Sequence, residues 1–406
     1  MIVRAWRQQL LPALGALWAL VGLFSNHFSI LAIGLFFWGL ALLSAYVAHR
    51  TLADITVFMR VNPPHAEIDE ATVMEMVVKN PLPWPILNVQ WAIDLPPNLK
   101  AQGPGTVLQA VEGARQTIQG ALWVGARQRV RIQCQLKGSA RGRWNVGPGS
   151  LVFHDPLKWN ELVRMDQQQE YLTVWPRRFP LPEGFWSQSP DLGLIKGNPW
   201  DSPDPFRVIN IRPYQPGDPV RLIAPYPSAR LRQLMVKQLE PMETSSVEVL
   251  IHPKTVEKHW HGINRTLLED TVSAAASVVE AAIAARLVTG LSGTGSIPGH
   301  IRGFRFSAIR RTNPEELLTG LAWLQPSGTM TDDLDQVLAA LGPRLTYRAT
   351  LIVVSPYWEE AMTRDLQAKV LRGLKVIALV PGKALPAFPP WVHNCWRFSQ
   401  GEWSRD

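Results

Sequence analysis

Cysteine is almost missing: Cys134 and Cys395 are the two in 406 residues. They stand far apart, so neither a disulfide framework nor a Cys-x-x-Cys metal site is available, and free thiols suit a reducing compartment. Charge is scarce as well, at 18% of residues against 46% hydrophobic. What charge there is leans basic, with 41 Lys and Arg against 33 Asp and Glu. Those cations are scattered and accompany no nucleic-acid motif, which argues against a nucleic-acid partner and for an anionic lipid leaflet nearby.

Charge is absent altogether from Leu10 to Phe24 and from Phe28 to Ala48. About 20 apolar residues cross a hydrocarbon core as a helix, so the second stretch is long enough and the first slightly short unless Gln8 and Gln9 reach the interface. Ser25-Asn26-His27 leaves room only for a tight reversal. Residues 1–50 therefore read as a two-helix transmembrane hairpin, not a cleaved leader, since no small-residue cleavage pattern precedes a second span. Arg4 and Arg7 precede the hairpin, Arg50 and Arg60 follow it, and the turn has no Lys or Arg. By the positive-inside bias both termini and the soluble portion are cytoplasmic, on a multi-pass protein of the inner (plasma) membrane. Neither helix carries an ionisable residue that would mark a transport pathway.

From 51 to 179 the pattern becomes short alternating runs punctuated by Gly and Pro: Thr72–Val78, Asn88–Ile93, Thr117–Trp123, Gln128–Leu136 and Tyr171–Trp175. These read as strands of an Ig-like β-sandwich. Residues 180–245 follow as a connector, whose first part, to about 220, is rich in Pro, Gly and Trp and packed by aromatics rather than flexible. From 246 to 406 strands alternate with helices. Val247–Ile251 reads as a buried strand and Arg265–Thr289 as a helix. Asn313-Pro314-Glu315-Glu316 reads as a helix start. Leu351–Val354 reads as a strand, Ser355 as the cap of a helix running to Arg372, and Val376–Val380 as the next strand. The repetition indicates a mostly parallel, doubly wound α/β sheet.

The most specific stretch runs from Ile211 to Ile223 and on through Ser228-Ala229-Arg230. Pro216-Gly217 suits the centre of a type II turn, holding Tyr214 and Asp218 on either side. Asp218 is close in sequence to Arg212, Arg221 and Arg230, and one carboxylate among several guanidiniums would make an interdomain pin. The run Arg212-Pro213-Tyr214-Gln215-Pro216-Gly217-Asp218, leading through Arg221 to Ser228-Ala229-Arg230, resembles the signature of the family called domain of unknown function 58. Arg141-Gly142-Arg143-Trp144-Asn145-Val146-Gly147-Pro148 and Asp155-Pro156-Leu157 are similar to further runs of that family. The resemblance implies a membrane-tethered protein with a β domain and a C-terminal von Willebrand factor type A-like domain, encoded beside MoxR-type AAA+ ATPases. One departure is Pro225-Tyr226 where the family has Trp, so packing there should differ.

An active type A domain holds a divalent ion with Asp-x-Ser-x-Ser, because a carboxylate and two hydroxyls are hard oxygen ligands. Here the run is His252-Pro253-Lys254-Thr255-Val256, without a carboxylate and with a repelling Lys254, so no metal and no cofactor is expected. His252, His259 and His261 read as a surface loop rather than a metal site. Ser292-Gly293-Thr294-Gly295-Ser296 reads as a mobile turn, lacking the ending of a phosphate loop. Asp332, Asp333 and Asp335 read as an acidic first helical turn. No Ser sits in a nucleophile elbow and no carboxylates pair as acid and base. The expectation is a non-enzymatic, membrane-anchored scaffold or adaptor. Arg212, Tyr214, Pro216, Gly217, Asp218, Arg221, Ser228 and Arg230 are its candidate partner-binding or structural residues, and the resemblance implies a MoxR-type ATPase as partner. A metal-dependent adhesion or ligand-binding module and a hydrolase acting through Asp218 are the alternatives.

Overall fold

The charge-free stretches fold as α1 (Arg7–Phe24) and α2 (Phe28–Asp54). Gly22 lies against the backbone of Leu31, Gly34 against that of Ala19, and Gly15 against that of Trp38, so the two helices run antiparallel at the close approach that only glycine permits. α2 continues past Ala48 to Asp54, because the backbone ladder does not end where apolarity ends. Among the described residues α2 is the one helix long and apolar enough to cross a bilayer, and Pro12–Phe24 is a shorter apolar segment.

The structure is a computed structural model. It describes residues 7–103, 107–111, 115–154, 161–166, 168–186, 208–215, 218, 220–239, 246–256, 262–298, 303–310, 313–325, 332–341, 349–358, 360–370, 374–382, 391–392 and 394–405. The chain divides into two units, Met1–Trp175 and Pro176–Asp406.

In the first unit α2 leads into β1 (Thr56–Asn62), β2 (His65–Glu67), β3 (Ala71–Lys79), β4 (Ile86–Leu95), β5 (Leu99–Gln102) and β6 (Val107–Val111). Then come β7 (Arg115–Val124), β8 (Arg129–Gly138), β9 (Gly142–Val146), β10 (Gly149–His154), β11 (Glu161–Asp166) and β12 (Glu170–Trp175). One antiparallel sheet has the order β1-β3-β8-β5, a second β11-β10-β4-β7-β6, and a small third sheet β2-β12-β9. Met59, Met74, Met76 and Leu136 from the first sheet share one core with Trp91, Ile93, Ile118 and Phe153 from the second. That shared core makes a two-layered β structure, with about 1.5–3 kcal/mol gained for each large side chain buried. Alternation in β8 comes out as read: Cys134 and Leu136 point inward while Arg129, Arg131, Gln133 and Gln135 are exposed. Burial pushes the Cys134 thiol up, so it stays protonated and serves as a small apolar side chain.

The last turn of α2 is built into this core. Ile55 is fully buried, and Leu52 packs against the shared cluster. Arg164 on β11 donates from Nη1 to the carbonyls of Leu52 (3.2 Å) and Ile55 (2.5 Å), capping oxygens that a helix end leaves unpaired. Trp84 donates its Nε1 proton to Thr51 Oγ1 at 3.3 Å.

The second unit begins with residues 176–186, fastened by aromatics: Phe179 against Phe398 and Phe185 against Trp186, Trp396 and Trp403. The elements that follow are β13 (Val208–Pro213), α3 (Pro225–Leu231), β14 (Met235–Leu239), β15 (Ser246–Ile251), α4 (Arg265–Ala284), β16 (Val288–Gly293) and β17 (Phe304–Arg310). α5 (Glu315–Trp323), α6 (Asp332–Leu341), β18 (Thr350–Val354), α7 (Glu360–Val370), β19 (Lys375–Pro381), β20 (Asn394–Ser399) and β21 (Glu402–Arg405) complete it. The sheet order is β17-β16-β15-β18-β19-β20-β21. Its five inner strands, β16, β15, β18, β19 and β20, are parallel, and its two edge strands, β17 and β21, antiparallel. Leu250, Leu351 and Val353 pack with α6 and α7, leaving the opposite face of the sheet to α4. Both faces are thus covered, which is why β15 and β18 are apolar almost throughout.

Several expectations need correction. The helix from Arg265 ends at Ala284, not Thr289. Arg286 takes a left-handed φ of 58°, and Val288 and Thr289 pair with β15 instead. Ser355 does not cap α7, which starts at Glu360; its hydroxyl donates to Tyr357 O. The connector is not wholly irregular, since β13 pairs with β14, and residues 187–207 lie outside the described residues. α5 does start at this run, but its capping position is Pro314 rather than Asn313, whose Oδ1 accepts the Glu315 amide at 3.1 Å from one residue further out.

Candidate functional site

The signature occupies the turn between β13 and β14. At the end of β13, Arg212 meets Asp218 through two parallel hydrogen bonds, Nη1 to Oδ2 at 2.8 Å and Nη2 to Oδ1 at 2.7 Å. The Gln215 amide adds a third bond to Oδ2 at 2.8 Å, and the Asp218 amide returns one to Gln215 O at 3.0 Å. Gln215 and Asp218 are therefore held together by backbone and side chain alike. Tyr214 is held by its amide, which donates to Leu234 O at 2.9 Å. Pro216 and Gly217 lie outside the described residues.

The Arg212 guanidinium and the Gln215 amide hold the Asp218 carboxyl below the usual carboxylate range. A carboxyl lowered by folding stabilises the fold above its unfolded value, about 3.9, and that contribution disappears as pH falls through the lower folded value. Protection of the amides of residues 212–215 and 218, taken against each amide's intrinsic exchange rate at the same pH, should therefore fall below about pH 4 in the native chain. Asp218→Asn should exchange faster at pH 7 and lose that acid dependence; a variant with native protection would show that the ion pair does not hold the turn.

Ser228 joins α3 to β14: its hydroxyl donates to Ala224 O at 2.6 Å and accepts the Met235 amide at 2.9 Å. Two residues along a helix point to nearly opposite sides, so Arg230 is exposed and, among the described residues, pairs with no carboxylate. Among the described side chains, the expected gathering of guanidiniums around Asp218 is thus reduced to Arg212. The Arg221 side chain lies outside the described residues. Sequence reading missed what surrounds these residues. Tyr226, between two prolines, is 91% exposed and Val220 75%, with Leu231 and Leu234 also more than half exposed. The one available signal was Tyr226 standing beside the position where the family has Trp.

The carboxyl ends of β15, β16 and β18 form the other place where a doubly wound sheet takes ligands. His252 is buried there, against the expected surface loop, with Nδ1 2.7 Å from Thr294 Oγ1. The run Ser292–Ser296 is likewise no mobile turn: Ser292 and Gly293 end β16 inside the sheet, and Thr294 is buried. Thr255 Oγ1 accepts the Asn264 amide at 3.1 Å while Asn264 Oδ1 caps α4 through the Leu267 amide at 3.2 Å. The hydroxyls where the type A resemblance would place a divalent ion are thus turned to protein partners. No carboxylate joins them from the His252–Val256 run, and these residues do not fit such an ion. His259 and His261 lie outside the described residues. α6 starts at Asp332, and the side chains of Asp332, Asp333 and Asp335 lie outside the described residues. Glu248, buried in β15 and bonded by Ser292 Oγ at 2.9 Å, was not singled out; a lone acid inside Val-Glu-Val-Leu-Ile was its signal.

Of the upstream runs, Gly142–Val146 is β9, where Arg143 stacks over the Tyr171 ring at 3.9 Å. Asp155-Pro156-Leu157 lies outside the described residues.

Residues 210–382 match the family model described as Protein of unknown function DUF58. The match begins within β13 and takes in the whole signature, while both upstream runs lie outside it. No curated protein matches the chain. Among solved structures, a cohesin module of a Clostridium perfringens family 33 glycoside hydrolase is 6% identical, covering 30% of this chain and 96% of the module, with TM-score 0.23. A Nocardia farcinica protein with an immunoglobulin-like fold is 15% identical over 29% of this chain and 96% of its own, with TM-score 0.21. Proximal thread matrix protein 1 of the mussel byssus is 10% identical over 35% and 38%, with TM-score 0.27. At such scores these likenesses bear neither on fold nor on function.

Proposed function

We propose, from the premise that residues 210–382 carry the DUF58 family domain, that this chain is a non-enzymatic membrane-anchored scaffold that presents the signature turn to a protein partner. The observation that carries the reading is Tyr226, 91% exposed on α3 beside the exposed Arg230 and Arg232. Tyr and Arg are the side chains that most often dominate an interface, and here the Arg212–Asp218 pair and Ser228 hold their surroundings in one geometry. A MoxR-type AAA+ ATPase is the proposed partner, on the family resemblance.

In this reading α1 and α2 both enter the bilayer as a hairpin, with the termini and the two soluble units cytoplasmic. The first β structure is read as Ig-like. The sheet order, with an antiparallel edge strand and the chain's first inner strand beside its fourth-formed neighbour, supports a von Willebrand factor type A-like arrangement that works without a metal. Capture of a MoxR-type ATPase by the full chain, solubilised from membranes that contain both, tests the proposal. Tyr226→Ala should reduce recovery by tenfold or more, equal to about 1.4 kcal/mol or more. Failure to recover the ATPase with the native chain, or equal recovery with the variant, counts against the scaffold role of this turn.

A further inference from the structure

We propose that the end of the first β structure beside α2 is a docking surface for anionic lipid headgroups, formed by Lys79, Arg127 and Arg129 with Trp84 and Trp123. In sequence these residues form no polybasic run; the fold gathers them. Thr56, two positions after the end of α2, pairs with Lys79, and Lys79 pairs with Arg129, so one row across three strands starts at the helix end. The two neighbouring turns are tied into a platform by Asn80, whose Nδ2 donates to Trp84 O (2.9 Å) and Gly125 O (3.0 Å). The Asn80 amide donates to Gln128 O at 2.9 Å and the Arg127 amide to Leu82 O at 3.0 Å.

Depth is fixed by the bond from Trp84 Nε1 to Thr51. Thr51 follows Arg50, the first Lys or Arg after the charge-free stretch of α2. If α2 spans the bilayer, as the proposed function has it, Trp84 lies at headgroup level, where indoles concentrate. Trp123, 59% exposed, stands beside the buried Val124 at the same end of β7. Lys79, Arg127 and Arg129 are exposed, and no carboxylate among the described residues pairs with any of them. Cations within a Debye length of an anionic leaflet gain attraction from it, about fivefold in partitioning for each. An acidic protein could meet the charge, but it would not account for indoles at the level of the last turn of α2.

The test uses the full chain in nanodiscs of phosphatidylcholine, with or without about 30% phosphatidylglycerol, read by amide hydrogen exchange over 79–86 and 124–130. Phosphatidylglycerol should slow exchange about threefold or more, and about 0.5 M NaCl should remove the difference. A Lys79→Gln, Arg127→Gln, Arg129→Gln chain should exchange alike in both discs, with β3 and β8 still protected. Equal exchange of the native chain in both discs overturns the proposal, as does a lipid difference that survives the triple substitution or protection that appears only with an acidic protein. A chain that is not retained in discs of either composition would instead overturn the spanning reading of α2.

Discussion

Gly34→Leu is expected to separate α1 from α2. A Cβ at position 34 would lie 2.2 Å from the Ala19 nitrogen and 2.7 Å from its Cα. These are backbone atoms, so no rotamer change makes room and the whole helix must move. Overpacking of this kind costs about 1–3 kcal/mol even where side chains can yield, and more is expected here. In lipid, helix pairing depends on such close approach, because apolar side chains gain nothing by leaving apolar tails. Spin labels at Leu20 and Ile33, both exposed and across the pair from each other, should give one short distance in the native chain and a longer, broader distribution in Gly34→Leu. Gly39→Leu is the control, since no atom lies within 4 Å of a Cβ there. An unchanged distance in Gly34→Leu would show that the helices do not pack through Gly34.

Phe185→Ala should have the second large effect. Phe185 is 2% exposed, with ring centroids 5.0 Å from Trp186, 5.5 Å from Trp396 and 6.3 Å from Trp403. Truncating a buried phenylalanine costs about 3–5 kcal/mol, since the cavity left among rigid rings collapses poorly. For a unit of this size that lowers the melting midpoint on the order of 10 °C. Hydrogen exchange places the effect: faster in 176–186 and in β20 and β21, unchanged in β3 and β8. Uniformly native protection would mean that the 176–186 segment adds nothing to the sheet it covers.

Much of this architecture was legible because burial follows period. The alternation through Arg129–Leu136 gave the inward and outward faces of β8, and the continuous apolar runs at Val247, Leu351 and Val376 gave the inner strands of a two-faced sheet. Reading failed where the pattern was ambiguous. Val288 and Thr289 extend the α4 period on paper, yet their places beside β15 decide for a strand, a long-range pairing that no local window contains. Ser292–Ser296 has the composition of a loop, but small polar residues also fit where two strands end against a packed helix layer. Within the signature the Arg212–Asp218 pair was legible as one of three partner choices, while the centre of the expected turn, Pro216-Gly217, lies outside the described residues. Which arginine would reach Asp218 was not, because the direction of Arg230 depends on Ser228 turning inward to bond Met235.

The joint at the end of α2 makes the first unit a stiff lever. Arg164 grips the final carbonyls, Trp84 grips Thr51, and Ile55 is sunk in the core, so there is no slack between the helix axis and the strands. A strand of 10 residues such as β4 spans about 33 Å. If α2 spans the bilayer, as proposed, a change of about 10° in helix tilt, of the size that a thinner or thicker bilayer imposes, would swing the far end of that unit by about 6 Å. Bilayer thickness would then be converted into displacement at the far end of the β structure, with no hinge between them to absorb it.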